Sequence, residues 1–266
     1  MIADYHMHLR NERGEIAHDT RSVDPFVDAA RAAGVDEIGF TEHVYYFTQT
    51  RALWSIPYQV ERCVYDLDDY VQAVVDARER GLPVKLGLEV DYVPGREDEL
   101  RELLAPYPWD FLLGSVHYID DLAVDNEPRL LDAVGVEEAW RQYFDRLMAA
   151  ARSGLYDSLS HPDLVKIFGE RAAFDYGPVA DAIADSGVAV EVSTAGLRKP
   201  VGELYPDPDF LAACRRRGVP ATLASDAHEP ALVGRDFDQA LELLRSAGYE
   251  TITIFEQRER RQEPLS

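Results

Sequence analysis

Short apolar segments alternate along the chain with longer segments that are apolar on one face only. The apolar segments predict strands, and the one-faced segments predict helices. The predicted strands are 2–4, 37–41, 84–90, 111–116, 158–160, 188–193, 221–225 and 251–255. The predicted helices are 25–33, 68–80, 136–152, 178–186, 208–217 and 237–247. This alternation is typical of an α/β fold in which helices cover a parallel sheet.

Two local features refine this pattern. Asp24 and Pro25 are typical of a helix N-cap and first helical residue, and Gly34 is typical of the residue that follows a helix. The segment Val44 to Leu67 is rich in Tyr and Trp but has no clear period, so it predicts a lid or substrate loop. No Pro/Gly/Ser-rich linker divides the chain, which indicates a single domain over 1–266.

The composition limits the classes of function. The chain has 266 residues, 46% of them hydrophobic, which suits a barrel of repeating strands and helices. The net charge of −22, from 49 acids and 27 bases, repels phosphodiester backbones, so no nucleic-acid partner is expected. A small anionic ester stays possible wherever metal ions concentrate positive charge.

Cysteines and apolar runs indicate the cellular setting. Cys63 and Cys214 are the only cysteines and lie far apart, so neither a disulfide framework nor a thiolate site is indicated. The first residues lack a basic segment followed by an apolar one, and no run of about 18 apolar residues occurs. We therefore expect a cytoplasmic protein with no membrane partner.

Six of the seven histidines lie near an acidic residue or a predicted strand end. The segments that hold these histidines, together with the isolated acid Glu89, are Asp4 to His8, Glu42-His43, Glu89, Ser115 to His117, His161 to Asp163, and Asp226 to His228. Because the carboxyl ends of parallel strands meet at one mouth of a barrel, these side chains should converge there. Imidazole and carboxylate donors suit Zn²⁺, Mn²⁺ or Fe, so the pattern predicts metal-assisted hydrolysis.

The spacing within these segments suggests individual roles. His6 and His8 alternate by two, as do Asp226 and His228, so each pair can face one side of the strand end. Glu89 has two oxygens with which to bridge two metals. His18 lies in a polar segment without a strand of its own, and a solvated loop is the alternative there.

Three further acids are candidates for supporting the ligands rather than binding metal. Asp4 is placed to orient an imidazole. Glu42 and Asp163 are candidates either for holding a ligand from behind or for capping a helix.

These motifs resemble those of a known family. The DxHxH segment Asp4 to His8, the TEH segment Thr41 to His43 and the SDAH segment Ser225 to His228 resemble the PHP (polymerase and histidinol phosphatase) superfamily. Three more segments resemble its histidinol-phosphate phosphatase branch: GSVHY at 114–118, SHPD at 160–163 and EVSTAGLRKP at 191–200.

The resemblance implies a distorted (β/α)7 TIM-like barrel, the PHP fold, with a trinuclear metal centre. We therefore expect two to three divalent transition metals, Zn, Mn or Fe, as cofactors. One metal would bind His6, His8, Glu89 and Asp226. A second would bind Glu89, His117 and His161, and a third His18, His43 and His228.

The implied reaction is hydrolysis of a small phosphate monoester, with L-histidinol phosphate of histidine biosynthesis as the first candidate. Arg198, Lys166 and Tyr118 are predicted to contact the substrate, Lys199 being a further candidate cation. Arg198 would steady the phosphate, and Asp226 or His228 would assist proton transfer. The alternatives are a PHP phosphoesterase acting on another small ester or nucleotide, and an inactive metal-binding accessory domain.

Overall fold

A computed structural model describes residues 1–11 and 13–265. Within them the strands are β1 (Ala3–Asp4), β2 (Glu37–Phe40), β3 (Val84–Asp91), β4 (Phe111–Ser115), β5 (Tyr118–Ile119), β6 (Leu122–Ala123), β7 (Ser158–Leu159), β8 (Ala189–Ser193), β9 (Ala221–Ala224), β10 (Thr251–Glu256) and β11 (Glu259–Pro264). Seven of these strands form one parallel sheet in the order β1-β2-β3-β4-β7-β8-β9.

The two outer strands of this sheet approach each other. The N–H of Tyr5, just after β1, donates to the carbonyl of Leu223 in β9 at 3.1 Å. Beyond both strands, the N–H of His8 donates to the carbonyl of Ala227 at 2.8 Å. The sheet is therefore a nearly closed barrel, which confirms the predicted fold class.

Helices follow most of the barrel strands. Those described are α1 (Thr20–Ala33), α2 (Pro57–Arg62), α3 (Leu67–Glu79), α4 (Glu97–Leu104), α5 (Arg129–Val134), α6 (Val136–Arg152), α7 (Gly177–Ser186), α8 (Pro208–Arg216) and α9 (Phe237–Ser246). Five of the six predicted helices have their observed bounds within one residue of the prediction, because each carries a regular apolar face. None of the helices that the structure describes is long and apolar enough to cross a membrane.

The predicted start of α1 is wrong. The helix begins at Thr20, and the carboxylate of Asp19 caps it by accepting from the N–H groups of Arg21 and Ser22. Pro25 lies inside the helix, where it removes one backbone hydrogen bond. The buried face that includes Val23 and Phe26 holds the helix across this position.

The C-terminal hairpin differs from the pattern of the barrel. The predicted strand 251–255 is present as β10, but it pairs antiparallel with β11, which is polar and was not predicted. The ring of Phe255 lies 5.6 Å from that of Tyr5 and 5.4 Å from that of Phe111. The N–H of Gln257, in the turn of the hairpin, donates to the carboxylate of Asp110, the residue before β4. The turn therefore packs at the amino end of β4, and the opposite mouth of the barrel is left to the candidate site.

The segment 44–67 is more ordered than a loop. It contains two 3-10 helices, Val44–Tyr46 and Thr48–Leu53, followed by α2. The hydroxyl of Thr50 donates to the carbonyls of Val44 and Phe47 and accepts from the indole N–H of Trp54. These hydrogen bonds of Thr50 order the segment internally. Its role as a lid or substrate loop stays a prediction.

Candidate metal centre

The candidate ligands meet at the carboxyl ends of the barrel strands. His6 and His8 follow β1, and a bridge between Met7 and Ala227 fixes the backbone between them. His43 follows β2 and forms a bridge with Glu89, which lies two residues before the end of β3. The parallel strands therefore bring together residues that are far apart in sequence, as the pattern predicted.

Glu89 lies at the centre of the cluster. Its carboxylate is fully buried and has a ring nitrogen of five histidines within 4 Å. Oε2 lies 2.7 Å from Nδ1 of His43 and 3.4 Å from Nε2 of His6. Oε1 lies 3.1 Å from Nε2 of His161 and 3.5 Å from Nε2 of His117. One carboxylate with neighbours on both oxygens is suited to bridging two cations.

The donors form four overlapping groups in which the ligand atoms lie within 4.8 Å of one another. These groups are His6-His8-Asp226, His6-Glu89-His161, His43-Glu89-His117 and His8-His43-His228. All nine predicted ligands except His18 belong to at least one group. The overlap is suited to a multinuclear centre.

His18 is the exception. Its Nε2 lies 3.7 Å from Oε1 of Glu42, and its ring packs against Tyr65 and Tyr70 at 5.1 and 5.4 Å. Within the described residues, the structure groups His43 and His228 with His8 rather than with His18.

Several nitrogen and oxygen atoms of the cluster that could bind a metal are buried without a hydrogen-bond partner, and they indicate whether the cluster suits metals. His6 Nε2 and His8 Nε2 are buried and have no such partner among the described atoms. Glu89 Oε2 has none either, because the 2.7 Å approach of His43 Nδ1 is not aligned as a hydrogen bond. Leaving a buried polar group unsatisfied costs about 1–3 kcal/mol, more when the group is charged. Imidazole nitrogens and carboxylate oxygens that converge without partners are a donor set that divalent transition metals satisfy.

The electrostatics lead to the same conclusion. Burial acts to raise the pKa of Glu89, but the charges of His6, His117 and His43 hold it well below its usual range. Burial acts to lower the pKa of His6, but Glu191, Glu89 and Asp226 raise it well above its ordinary value. The carboxylates thus stay ionised and favour positive charge among them.

Glu191 and Asp91 each contact the Nδ1 atom of a candidate ligand histidine, on the side of the ring away from the cluster. The sequence analysis did not predict either contact. Both oxygens of Glu191 lie 3.1 Å from Nδ1 of His6, and Oε2 also accepts from the N–H of His161. Oδ1 of Asp91 lies 2.8 Å from Nδ1 of His117. Two features of the sequence could have indicated these roles. Glu191 is an acid inside the otherwise apolar strand β8, and Asp91 is an acid two residues after Glu89.

The three acids that were predicted as supports have different roles. Glu42 lies 2.9 Å from Arg10 and 3.5 Å from Nδ1 of His8, so the structure places it behind the imidazole of a candidate ligand. Asp4 instead accepts from the N–H groups of Ser225 and Gly234, so it holds backbone and not the predicted imidazole.

Asp163 also supports structure rather than a ligand. It pairs with the buried Lys166 at 2.9 Å and accepts from the N–H of Asp207 at 2.7 Å. It makes no side-chain hydrogen bond that would cap the 3-10 helix Leu164–Lys166. Its carboxylate therefore neutralises Lys166 and holds the segment that leads into α8.

A cavity of about 350 Å³ opens over the cluster. The lining residues are His43, Tyr45, Tyr46, Tyr58, Glu89, His117, Tyr118, Asp125, Asn126, His161, Leu164, Ile167, Lys199, Tyr205, Asp226 and His228.

Some of the residues predicted to contact the substrate line this cavity, and others do not. Tyr118 and Lys199 line it. Lys166 does not line it, because its ammonium group is held by Asp163 and by the carbonyl of Leu204. Arg198 precedes Lys199, and its guanidinium donates to the carbonyls of Ser225 at 2.5 Å and Thr194 at 3.3 Å.

Comparisons with known proteins agree with this architecture. A family model described as PHP domain matches residues 4–195. The chain is 35% identical to a probable histidinol-phosphatase of Deinococcus radiodurans, over 99% of both chains. It is 28% identical to the histidinol-phosphatase of Bacillus subtilis, over 82% of this chain and 91% of that one.

The fold is also similar to that of a solved structure. Histidinol phosphate phosphatase from Lactococcus lactis, determined in complex with zinc, L-histidinol and phosphate, matches with a TM-score of 0.76. The match covers 98% of both chains at 23% sequence identity, so it supports the fold.

Proposed function

This chain belongs to the PHP domain family, and we propose that it hydrolyses L-histidinol phosphate to L-histidinol and phosphate. The observation that carries the proposal is the convergence of four donor groups around Glu89, at the mouth of a barrel with an adjoining cavity. The similarity to the Deinococcus radiodurans protein over 99% of both chains supports this substrate class.

The centre holds two to three divalent transition metals in this proposal. His6, His8, Glu89 and Asp226 would hold one ion, and Glu89, His117 and His161 a second. His43 and His228 would hold a third, with His8 nearer to them than His18 is. Zinc is the first candidate because the Lactococcus lactis structure contains it. When bound, divalent ions would offset the negative charge of the phosphoryl oxygens and, as Lewis acids, lower the pKa of a water molecule bound to them.

The side chains around the cluster bind and orient the ester. Lys199 presents a cation in the wall of the cavity. Arg198, the preceding residue, holds its guanidinium against the carbonyls of Ser225 and Thr194 and would contact the phosphoryl group from there. Tyr118 offers a hydroxyl and an aromatic face. The imidazole of His228 also lines the cavity, with 44% of its side chain exposed. In a centre of two ions, where His228 holds no metal, it could exchange a proton with the leaving group or with solvent.

A phosphate-release assay on metal-loaded protein tests the function. It compares L-histidinol phosphate with a nucleotide, a sugar phosphate and an aryl phosphate at equal concentrations. We expect kcat/KM to be highest for L-histidinol phosphate. Equal kcat/KM for all the esters would support a phosphoesterase of other specificity. Inactivity with a full complement of metals would support the accessory-domain alternative.

A further inference from the structure

The proposed substrate places a requirement on the cavity. L-histidinol phosphate carries an ammonium group on the carbon adjacent to the one that bears the ester oxygen. A residue that binds this ammonium group must therefore lie close to the site of the phosphoryl group. A carboxylate is the strongest such partner among side chains, because the hydrogen bond is charge-assisted.

Three carboxylates line the cavity in the described part of the chain: Glu89, Asp226 and Asp125. Glu89 and Asp226 belong to the metal-ligand groups. Asp125 belongs to none of these groups, and within residues 1–11 and 13–265 it makes no hydrogen bond or ion pair. It is thus the acid in the cavity that is available to a cationic ligand.

The local fold places Asp125 beside the metal centre. The hairpin of β5 and β6 pairs Tyr118 with Ala123 and returns the chain toward His117. The N–H of Val124 then donates to the carbonyl of His117 at 2.8 Å. Asp125 is the next residue along the chain. Its backbone is therefore held close to His117, a candidate ligand, by the hydrogen bond of Val124.

The neighbours of Asp125 in the cavity wall agree with this position. Tyr118 and His117, on the same hairpin side, line the same cavity as Asp125. The carboxylate of Asp125 therefore lies in the wall that joins the candidate metal centre to the space available to the substrate.

We propose that Asp125 binds the ammonium group of the substrate and selects amino phosphate esters over esters without an amine. This inference rests on the proposed function, because it takes L-histidinol phosphate as the substrate. It assigns to one residue a specificity that the metal centre, which would bind the phosphoryl group, does not supply.

Asp125→Asn tests the assignment with two esters, L-histidinol phosphate and the same molecule without its amine, 3-(imidazol-4-yl)propyl phosphate. In the metal-loaded variant we expect the ratio of the two kcat/KM values to fall roughly tenfold to a hundredfold relative to wild type, mainly through KM for the amino ester. Asp121→Asn is the matched control, because Asp121 is exposed on the same hairpin and does not line this cavity. An unchanged ratio in Asp125→Asn, including an equal loss on both esters, would overturn the assignment.

Calorimetric titration with L-histidinol separates this inference from the proposed function. If wild type turns over L-histidinol phosphate no better than an aryl phosphate, the proposed function fails. Binding of L-histidinol still reports on Asp125 in that case. Weaker binding by Asp125→Asn than by wild type and Asp121→Asn would support the inference, and equal binding by all three proteins would overturn it.

Discussion

Both carboxylate oxygens of Glu191 lie 3.1 Å from Nδ1 of His6. A carboxylate only accepts, so Nδ1 carries a proton, and Nε2, which faces Glu89 and Asp226, is the nitrogen that could bind a cation lying between them. The same carboxylate accepts from the backbone of His161, whose Nε2 faces Glu89 from another strand. Glu191 therefore fixes two candidate ligands at once.

We predict that Glu191→Gln weakens metal binding without unfolding the protein. Glutamine replaces one of the two oxygens that face the Nδ1–H of His6 with an NH2 donor, and it removes the negative charge that supports this imidazole as a ligand. Metal affinity, measured by competition with a chromophoric chelator, should fall about 10–100-fold. Glu37→Gln, an acid at the start of β2 and outside the cluster, should keep wild-type affinity. Wild-type affinity in Glu191→Gln would show that His6 does not depend on this contact.

Glu89→Gln is expected to be more severe than the loss of a terminal ligand. The amide keeps the shape of the side chain but removes the charge that lies between five histidines. We expect loss of at least one metal per chain and of most of kcat, measured by elemental analysis and phosphate release. Asp226→Asn, at the edge of the cluster, should lose less metal. Near-normal metal content and turnover in Glu89→Gln would rule out a bridging role.

The sequence predicted the parts of the fold that depend on local pattern. Alternating apolar segments were sufficient for a parallel sheet covered by helices, and the family resemblance implied that this sheet forms a barrel. The position of acids and histidines after strands was sufficient to indicate most of the cluster. The contacts of Glu191 and Asp91 were not predictable in this way, because each depends on which strand lies next to which. The start of α1 was misplaced because Pro25 resembles a first helical residue, whereas Asp19 provides the cap. The polar β11 carries no apolar signal and forms only by pairing with β10.

The contact between the hairpin and the barrel leads to a stability prediction. The buried carboxylate of Asp110 accepts from the N–H groups of Leu86 and Gln257, which joins β3 to the turn of the hairpin. Asp110→Ala leaves both donors unsatisfied and should lower the free energy of unfolding by about 2–4 kcal/mol. The measurement is the urea midpoint at constant slope. Asp98→Ala, which removes a side chain that is 91% exposed, should change the midpoint little. Equal midpoints for the two variants would contradict this account.

The contacts of Arg198 are consistent with two different roles, one in supporting the fold near Asp226 and one in binding the phosphoryl group. Its guanidinium donates to the carbonyls of Ser225 and Thr194, and it forms no ion pair within the described residues. Those bonds brace the end of β8 against the segment that carries Asp226. The charge itself has no acidic partner in the part of the chain that the structure describes, and the next residue, Lys199, lines the cavity. Arg198 is thus either a brace for Asp226 or a clamp for the phosphoryl group.

Arg198→Ala and Arg198→Lys distinguish these roles when metal content and kcat/KM for L-histidinol phosphate are measured on the same preparations. If Arg198 clamps the phosphoryl group, as we predict, the alanine variant should keep its metals and lose roughly 2–4 kcal/mol of transition-state stabilisation. Lysine should restore only part of this loss, because a point charge cannot reproduce a bidentate contact. If Arg198 is only a brace, activity should instead fall in proportion to lost metal, and reloading should restore it. Wild-type kcat/KM in the alanine variant would exclude both roles.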